Sequence, residues 1–262
     1  MSGTLSGQHA VVTGGGRGIG ASIALALVRN GANVTLLGRN AAILRDQVRR
    51  LRQEVPGAKV QDILADLGDV DSIEGAFVAA ERSFGSVGIL VNNAGQAASA
   101  SIGKTSLDLW RQMLEVNLTG TFICIQSVLP GMRQRKAGRI INIASTAGLV
   151  GYRYVAAYCA AKHGVIGLTR AVALEVATEN ITVNAVCPGY TDTDMVKDTV
   201  ANIVAKTGHG EKVVRAGLAD GNPQKRLVLP EEVANAVLWL CLPGSEAMNG
   251  QALSISGGEV MR

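Results

Sequence analysis

The apolar positions of this chain change period repeatedly. Ala10-Val11-Val12-Thr13 is a short unbroken run, the pattern of a strand buried on both faces. Directly after it, Ile19, Ile23 and Leu27 recur at helical spacing and stop at Gly31, which predicts a helix over 19–29. The alternation continues. Val34 to Leu37 reads as a strand, and Ala41 to Val55 as a helix with Leu44, Val48, Leu51 and Val55 on one side, stopped by Pro56-Gly57. Val60 to Leu64 is a third strand, Val70 to Phe84 a helix carrying Ile73, Phe77, Ala80 and Phe84, and Ile89 to Val91 a fourth strand. In the second half, Leu107 to Met132 is helical, broken near Gly120 and ended around Pro130-Gly131. Arg139 to Ile143 is a strand, Val155 to Ala177 a long helix, Thr182 to Val186 a strand, Glu231 to Leu240 a helix opened by Pro230, and Ala252 to Ile255 a last strand.

Strands and helices in strict alternation mean a parallel sheet covered on both faces, joined by right-handed crossovers. No linker-like shift in composition interrupts the chain, so one domain over 1–262 is expected. The exception to the alternation is the polar stretch Thr193 to Pro223, with Gly208, Gly210, Gly217 and Gly221. It is expected to be a substrate lid or a surface loop, at about 193–223.

Composition narrows the classes. Hydrophobic residues are 47% and aromatics only 3%, so the core is built of Ala, Val, Ile and Leu. The net charge of +4, from 25 basic and 21 acidic residues, is too balanced to argue for nucleic acid. Cys124, Cys159, Cys187 and Cys241 have no C-x-x-C spacing and read as reduced core thiols of a cytoplasmic protein. His9, His163 and His209 form no ligand cluster, so no metal is expected. Met1 to Ala10 carries no signal-peptide pattern, and no apolar stretch is long enough to span a bilayer.

Two patterns carry chemistry. Tyr158 and Lys162 are four residues apart on a helix, hence on one face. A phenol titrates near pH ~10, and an ammonium beside it favours the phenolate. The second is Thr13-Gly14-Gly15-Gly16-Arg17-Gly18-Ile19-Gly20, which lies between a strand and a helical stripe. Glycines there allow a tight turn and let the backbone approach a pyrophosphate at the helix N-terminus. An acid at the end of the second strand would hold the ribose 2′-hydroxyl of NAD. This chain has Leu37-Gly38-Arg39-Asn40 instead, with Arg39 where a 2′-phosphate would lie and Arg17 as a second cation, which favours NADP(H) over NAD(H). Alternatively both arginines face water. Asp66, after the third strand, reads as an adenine contact or a surface cap.

Together with Asn92-Asn93-Ala94-Gly95, Asn117, Ser145 and Pro188-Gly189, these residues resemble the short-chain dehydrogenase/reductase family over nearly the whole chain. The resemblance implies a Rossmann-type three-layer αβα sandwich, with a doubly wound, mostly parallel sheet of about seven strands. It implies carbonyl–alcohol hydride transfer with nicotinamide. Tyr158 would exchange the proton with the substrate oxygen and Ser145 would hydrogen-bond that oxygen. Lys162 would lower the phenol pKa and hold the nicotinamide ribose, and Asn117 would hold a water of the proton relay. Cofactor contacts are implied at Gly14, Arg17, Gly18, Ile19, Gly20, Arg39, Asp66, Leu67, Asn93, Ala94, Gly95, Tyr158, Lys162, Pro188, Gly189, Thr191 and Thr193. Asn92 and Asn93 are expected chiefly to brace the sheet.

Within the family the chain looks like reductases of 3-oxoacyl thioesters or polyketide carbonyls. It departs from the carrier-protein reductases at Leu174, where they often carry a docking arginine, and has Lys136 at a second such position. That weakens the case for an acidic carrier and adds weight to coenzyme A thioesters or small free carbonyls. An NAD-dependent dehydrogenase of cyclic, sugar or steroid alcohols is the alternative, and a non-catalytic NADP(H) sensor is the rival from another class. A homotetramer through the two long helices is implied. Specificity is expected to lie in 96–104, 149–154 and 193–223.

Overall fold

The computed structural model describes residues 3–261. Met1, Ser2 and Arg262, the ends of the expected 1–262 domain, lie outside the described residues. Seven strands form one parallel sheet in the order β3-β2-β1-β4-β5-β6-β7. They are β1 His9–Thr13, β2 Asn33–Gly38, β3 Val60–Leu64, β4 Ile89–Asn92, β5 Gly138–Ile143, β6 Ile181–Pro188 and β7 Ala252–Ile255. Every residue of β1, β4 and β6 is buried, as a strand covered on both faces requires. The order reverses between β1 and β4, and at such a switch the loops at the carboxyl ends of the strands part to leave a crevice.

Helices α1 (Gly18–Arg29), α2 (Ala41–Glu54) and α9 (Pro230–Cys241) belong to one face of the sheet, where Ile23, Leu27, Leu44, Leu51, Val233 and Val237 share a core cluster with Val12, Val34 and Ile141. On the other, α3 (Val70–Phe84) and α5 (Gly120–Arg135) bury Ile73, Phe77, Cys124, Val128 and Met132 against Val11, Leu90 and Ile140. Helix α6 (Ala156–Glu175) contributes Val172 and Ala173 to that cluster. Side-chain caps open α2 and α3, from Asn40 to the amide of Ile43 and from Asp69 to that of Ser72.

Three expectations need correction. The expected break near Gly120 is instead a π-helical turn, Glu115–Thr119, between α4 (Leu107–Leu114) and α5. The inserted residue rotates the helix there without ending it, and Asn117 lies inside the bulge. Pro130 does not end α5, which runs on to Arg135. Pro130 and Gln126, whose carbonyl loses its i+4 donor to the proline, are both exposed, so solvent can satisfy that oxygen.

The 193–223 stretch is helical rather than a loop. It holds α7 (Asp194–Thr207) and α8 (Glu211–Asp220), joined through Gly208 in the left-handed region at φ 73°. Val196, Val200, Val214, Ala219 and Leu227 give the pair its own small core. Its ends are tied together by a parallel bridge between Thr191 and Val228 and by an ion pair of Arg215 with Asp192. The apolar positions were there to be read, but the four glycines and many charges masked their period.

Candidate active site

The loop after β1 is shaped by what cannot fit. Gly14 and Gly18 have φ of 63° and 54°, which L side chains avoid. A Cβ on Gly20 would lie 2.3 Å from the Gly14 oxygen and 2.5 Å from Asn93 Nδ2. The loop is pinned from β4: Asn93 Nδ2 donates to the oxygens of Thr13 and Gly14 at 2.9 and 3.2 Å. The Thr13 hydroxyl accepts from the amides of Asn93 and Ala94, both at 3.0 Å. Helix α1 then opens at Arg17 without a side-chain cap, leaving its first amides directed at the loop mouth. Thr193, at the root of α7, comes within 3.2 Å of where a Gly18 Cβ would stand. A cradle from which side chains are excluded, at a helix N-terminus, fits a dinucleotide pyrophosphate. Arg17 and Arg39 are both exposed at this mouth, and Asp66 is exposed with its Oδ1 accepting from the Gly68 amide at 3.0 Å. Leu67 is buried against Gly120, where a Cβ would meet its oxygen at 2.7 Å.

Beyond the cradle, at the end of β5, the catalytic candidates converge. Ser145 caps a short 3₁₀ turn, its Oγ accepting from the Ala147 amide at 3.1 Å. Tyr158 stands on the first turn of α6, close enough to the Ser145 side chain for the serine to pull its phenol pKa down. Lys162 is 4% exposed, and its Nζ donates to the Ile143 oxygen at 2.8 Å and lies 5.7 Å from the Tyr158 ring centroid. Asn117 is also buried. Its Oδ1 accepts from the Gln96 amide at 3.1 Å, while Nδ2 donates to the oxygens of Gln96 and Met113 at 3.0 and 2.9 Å. Gly95 lies between them: a Cβ there would sit 2.7 Å from Asn117 Oδ1 and 3.6 Å from Lys162 Nζ.

The electrostatics correct one expectation. Burial pushes the Tyr158 phenol up, to about 12, and outweighs the Ser145 hydrogen bond, which pulls it down. Burial also brings the Lys162 amine down, to about 8. Desolvation leads both shifts, and the Lys162 ammonium is directed at the Ile143 oxygen.

Most of the expected residues meet around one cleft. Asn92 and Asn93 brace it: Asn92 Nδ2 donates to Asn142 Oδ1 at 2.9 Å across β4 and β5, and Asn142 Nδ2 donates to Thr169 Oγ1 at 2.9 Å. Pro188 and Gly189 end β6, and the Gly189 amide is taken by the Ile255 oxygen. Thr191 Oγ1 donates to the Gly189 oxygen at 3.0 Å, and Thr193 Oγ1 to the Thr191 oxygen at 3.2 Å, which holds this corner of the cleft. Two of the expected specificity segments are joined by the Ala100 amide donating to the Tyr154 oxygen at 2.8 Å, with Tyr154 at φ 68°. Gln96 and Tyr152 fall within the expected specificity segments, whereas Glu259 had no readable signal. Gln96 is placed by Asn117. Tyr152 and Glu259 meet at 2.5 Å although 107 positions separate them. Only the fold of the C-terminal turn brings them together.

Comparison with known proteins agrees with this geometry. The family model for short chain dehydrogenases matches residues 8–203. A D-beta-hydroxybutyrate dehydrogenase of Rhizobium meliloti (strain 1021) is 37% identical over 255 residues, 96% of this chain and 98% of its own. A putative ketoacyl reductase of Streptomyces coelicolor is 38% identical over 261 residues, 97% of this chain and 98% of its own. The crystal structure of a single-residue variant of actinorhodin polyketide ketoreductase with NADPH superposes at a TM-score of 0.93 with 37% identity, covering 99% of each chain. The chain thus belongs to the short chain dehydrogenase family, a nicotinamide-dependent oxidoreductase acting on CH–OH and ketone groups, and the glycine cradle and the serine, tyrosine and lysine gathered at the end of β5 are its candidate site.

Proposed function

We propose that the protein reduces a 3-oxoacyl thioester or a related ketone, with NADPH as the preferred donor. The observation that carries this reading is the gathering of Ser145, half-buried Tyr158 and buried Lys162 at the end of β5, with Lys162 Nζ held on the Ile143 oxygen. When bound, the nicotinamide supplies the hydride. Tyr158, whose phenol stays protonated at neutral pH, gives its proton to the carbonyl oxygen as negative charge develops there. The Ser145 hydroxyl donates to the same oxygen, a placed donor whose worth grows with that charge. Lys162, anchored on Ile143, presents its remaining N–H groups toward Gly95 and the ribose side of the cleft. Asn117 acts by position, fixing Gln96 and the turn after β4. Its main-chain oxygen, which also accepts from Thr121 Oγ1 at 3.0 Å, is the group on this residue suited to a relay water.

Arg39 and Arg17, exposed where the adenosine ribose would end, supply the cations for a 2′-phosphate, and no acid follows β2 to repel it. The polyketide ketoreductase solved with NADPH supports the same choice. Gly14, Gly18, Ile19 and Gly20 would hold the pyrophosphate, Asp66 and Leu67 the adenine, Asn93, Ala94 and Gly95 the ribose side, and Pro188, Gly189, Thr191 and Thr193 the carboxamide. The helical pair α7–α8 serves as the substrate lid. The 81% exposure of Leu174 on α6 supports a homotetramer.

NADPH and NADH oxidation followed with an acetoacetyl thioester, a cyclic ketone and a hydroxysteroid, the last assayed in the oxidative direction, tests the reading. NADPH-linked turnover of the thioester above the others is expected. Faster NADH-linked oxidation of the hydroxysteroid would overturn it.

A further inference from the structure

The C-terminal turn carries a carboxylate into the cleft that the reaction itself does not use. Glu259 follows β7 by four residues and is held from three directions. Its Oε1 accepts from the Tyr152 hydroxyl at 2.5 Å. Its Oε2 lies over Gly189, where any Cβ would stand 2.8 Å away, and its Oε1 is 3.6 Å from where a Gly221 Cβ would be. The turn itself is locked. The Glu259 amide donates to the Ser256 oxygen at 3.2 Å and the Val260 amide to Ser256 Oγ at 3.2 Å. Gly257, at φ 63°, packs on the buried Asn222, whose Oδ1 would lie 2.2 Å from a Cβ there.

This corner adjoins the catalytic cluster. Tyr152 has one hydroxyl proton, and the carboxylate takes it. The 3.0 Å contact with Thr146 Oγ1 then runs from the threonine to the phenol oxygen. Thr146 is the residue after Ser145. Burial first, and the Glu259 carboxylate with it, push the Tyr152 phenol up. A cavity of about 350 Å³ opens here, lined by Val150, Tyr152, Glu259, Val260 and Met261. Its walls are apolar except for the Tyr152–Glu259 pair. Among the described residues Glu259 enters no ion pair.

We propose that Glu259 is a specificity-determining residue: its carboxylate, aligned by Tyr152 and set against Gly189 just after β6, rejects substrates with an anionic group near the ketone and selects uncharged ones. The proposal rests on the reading of the site as a ketone reductase. Like charges brought close together repel, whereas a neutral ester or thioester meets only apolar wall and one acceptor. Free 3-oxo acids are therefore poor substrates, and their neutral esters and thioesters good ones.

Acetoacetate and ethyl acetoacetate present nearly the same ketone and differ in charge, so they form the test pair, each assayed with NADPH and with NADH. The readout is the ratio of kcat/KM for the acid over the ester. Glu259→Gln keeps the shape and an acceptor for Tyr152 but removes the charge, and is expected to raise the ratio about tenfold or more. Tyr152→Phe keeps the charge and is expected to leave the ratio within about threefold of wild type. Raising ionic strength from about 0.02 to 0.5 M is expected to raise the wild-type ratio and not that of Glu259→Gln, because screening acts only on charge. An unchanged ratio in Glu259→Gln, with turnover of the ester retained, overturns the proposal and leaves the reductase reading intact. An equal rise in Tyr152→Phe also overturns it, since packing rather than charge would then decide. Absence of turnover for both probes in the wild type overturns the reductase reading and this proposal with it.

Discussion

Lys162 Nζ donates a 2.8 Å hydrogen bond to the main-chain oxygen of Ile143, the last residue of β5, and lies 5.7 Å from the ring centroid of Tyr158 one helical turn earlier. The lysine thus ties the start of α6 to the edge of the cleft. Its side chain runs through packed protein to reach that oxygen, and this burial brings its amine down to about 8.

A stability prediction follows from that burial. At pH 7 the amine is charged in both folded and unfolded chains, and the folded protein bears the cost of a buried charge. Above the folded value of about 8 the folded chain releases the proton while the unfolded chain, titrating at 10.5, keeps it. The unfolded state then binds more protons, so stability rises with pH between those values. Lys162→Met removes the cost and also loses the bond to Ile143. It is expected to be about 1–3 kcal/mol more stable than wild type at pH 7, the gap closing toward pH 10. Urea unfolding of the two proteins at pH 7 and pH 9.5 measures this, and a gap that widens with pH would refute it. Activity is expected to be lost in the same variant.

Tyr158→Phe keeps the ring and removes only the hydroxyl that Ser145 meets. A fall in kcat of about 10²–10⁴, with KM for the nicotinamide cofactor little changed, is expected. Steady-state kinetics with ethyl acetoacetate provide the check; retention of even a tenth of wild-type kcat would remove Tyr158 from the proton transfer.

Glycines in the cleft and on the surface should respond oppositely to alanine. Gly20→Ala would drive a Cβ to 2.3 Å from the Gly14 oxygen, so loss of cofactor binding and a destabilisation of about 3 kcal/mol or more are expected. Gly75 lies inside α3, where an added Cβ meets nothing within 4 Å. Gly75→Ala is expected to stabilise by about 0.5–1 kcal/mol. Thermal unfolding with and without NADPH separates the two.

Arg39 is exposed at the end of β2, so its charge can be changed with little effect on the fold. Arg39→Asp is expected to weaken NADPH binding about 10–100-fold relative to NADH, by removing a cation and adding an anion beside the 2′-phosphate. Fluorescence titration with both nucleotides reads the ratio directly.

Much of this architecture is local information. The apolar runs of β1, β4 and β6 and the helical stripes of α1, α2 and α3 were legible because each must bury one face on its own account. The glycine turn and the Tyr158–Lys162 spacing were legible too, since a tight turn and a shared helix face are properties of a few consecutive residues. The same locality explains the misses. Glycines and charges hid the stripe of α7 and α8, whose core forms only between the two helices. Nothing around Asn117 announces an inserted residue, because a π-turn is settled by what the side chain can reach, here Gln96 and Met113.

The sequence by itself determined the alternation of elements, the glycine turn and which residues are candidates for the reacting groups. Tertiary structure alone decided their electrostatic state and their surroundings. Whether Lys162 faces a phenol or a carbonyl, whether burial or a neighbouring charge rules the phenol, and whether Glu259 meets Tyr152 across 107 positions all depend on distances and solvent exclusion that exist only once the sheet has closed.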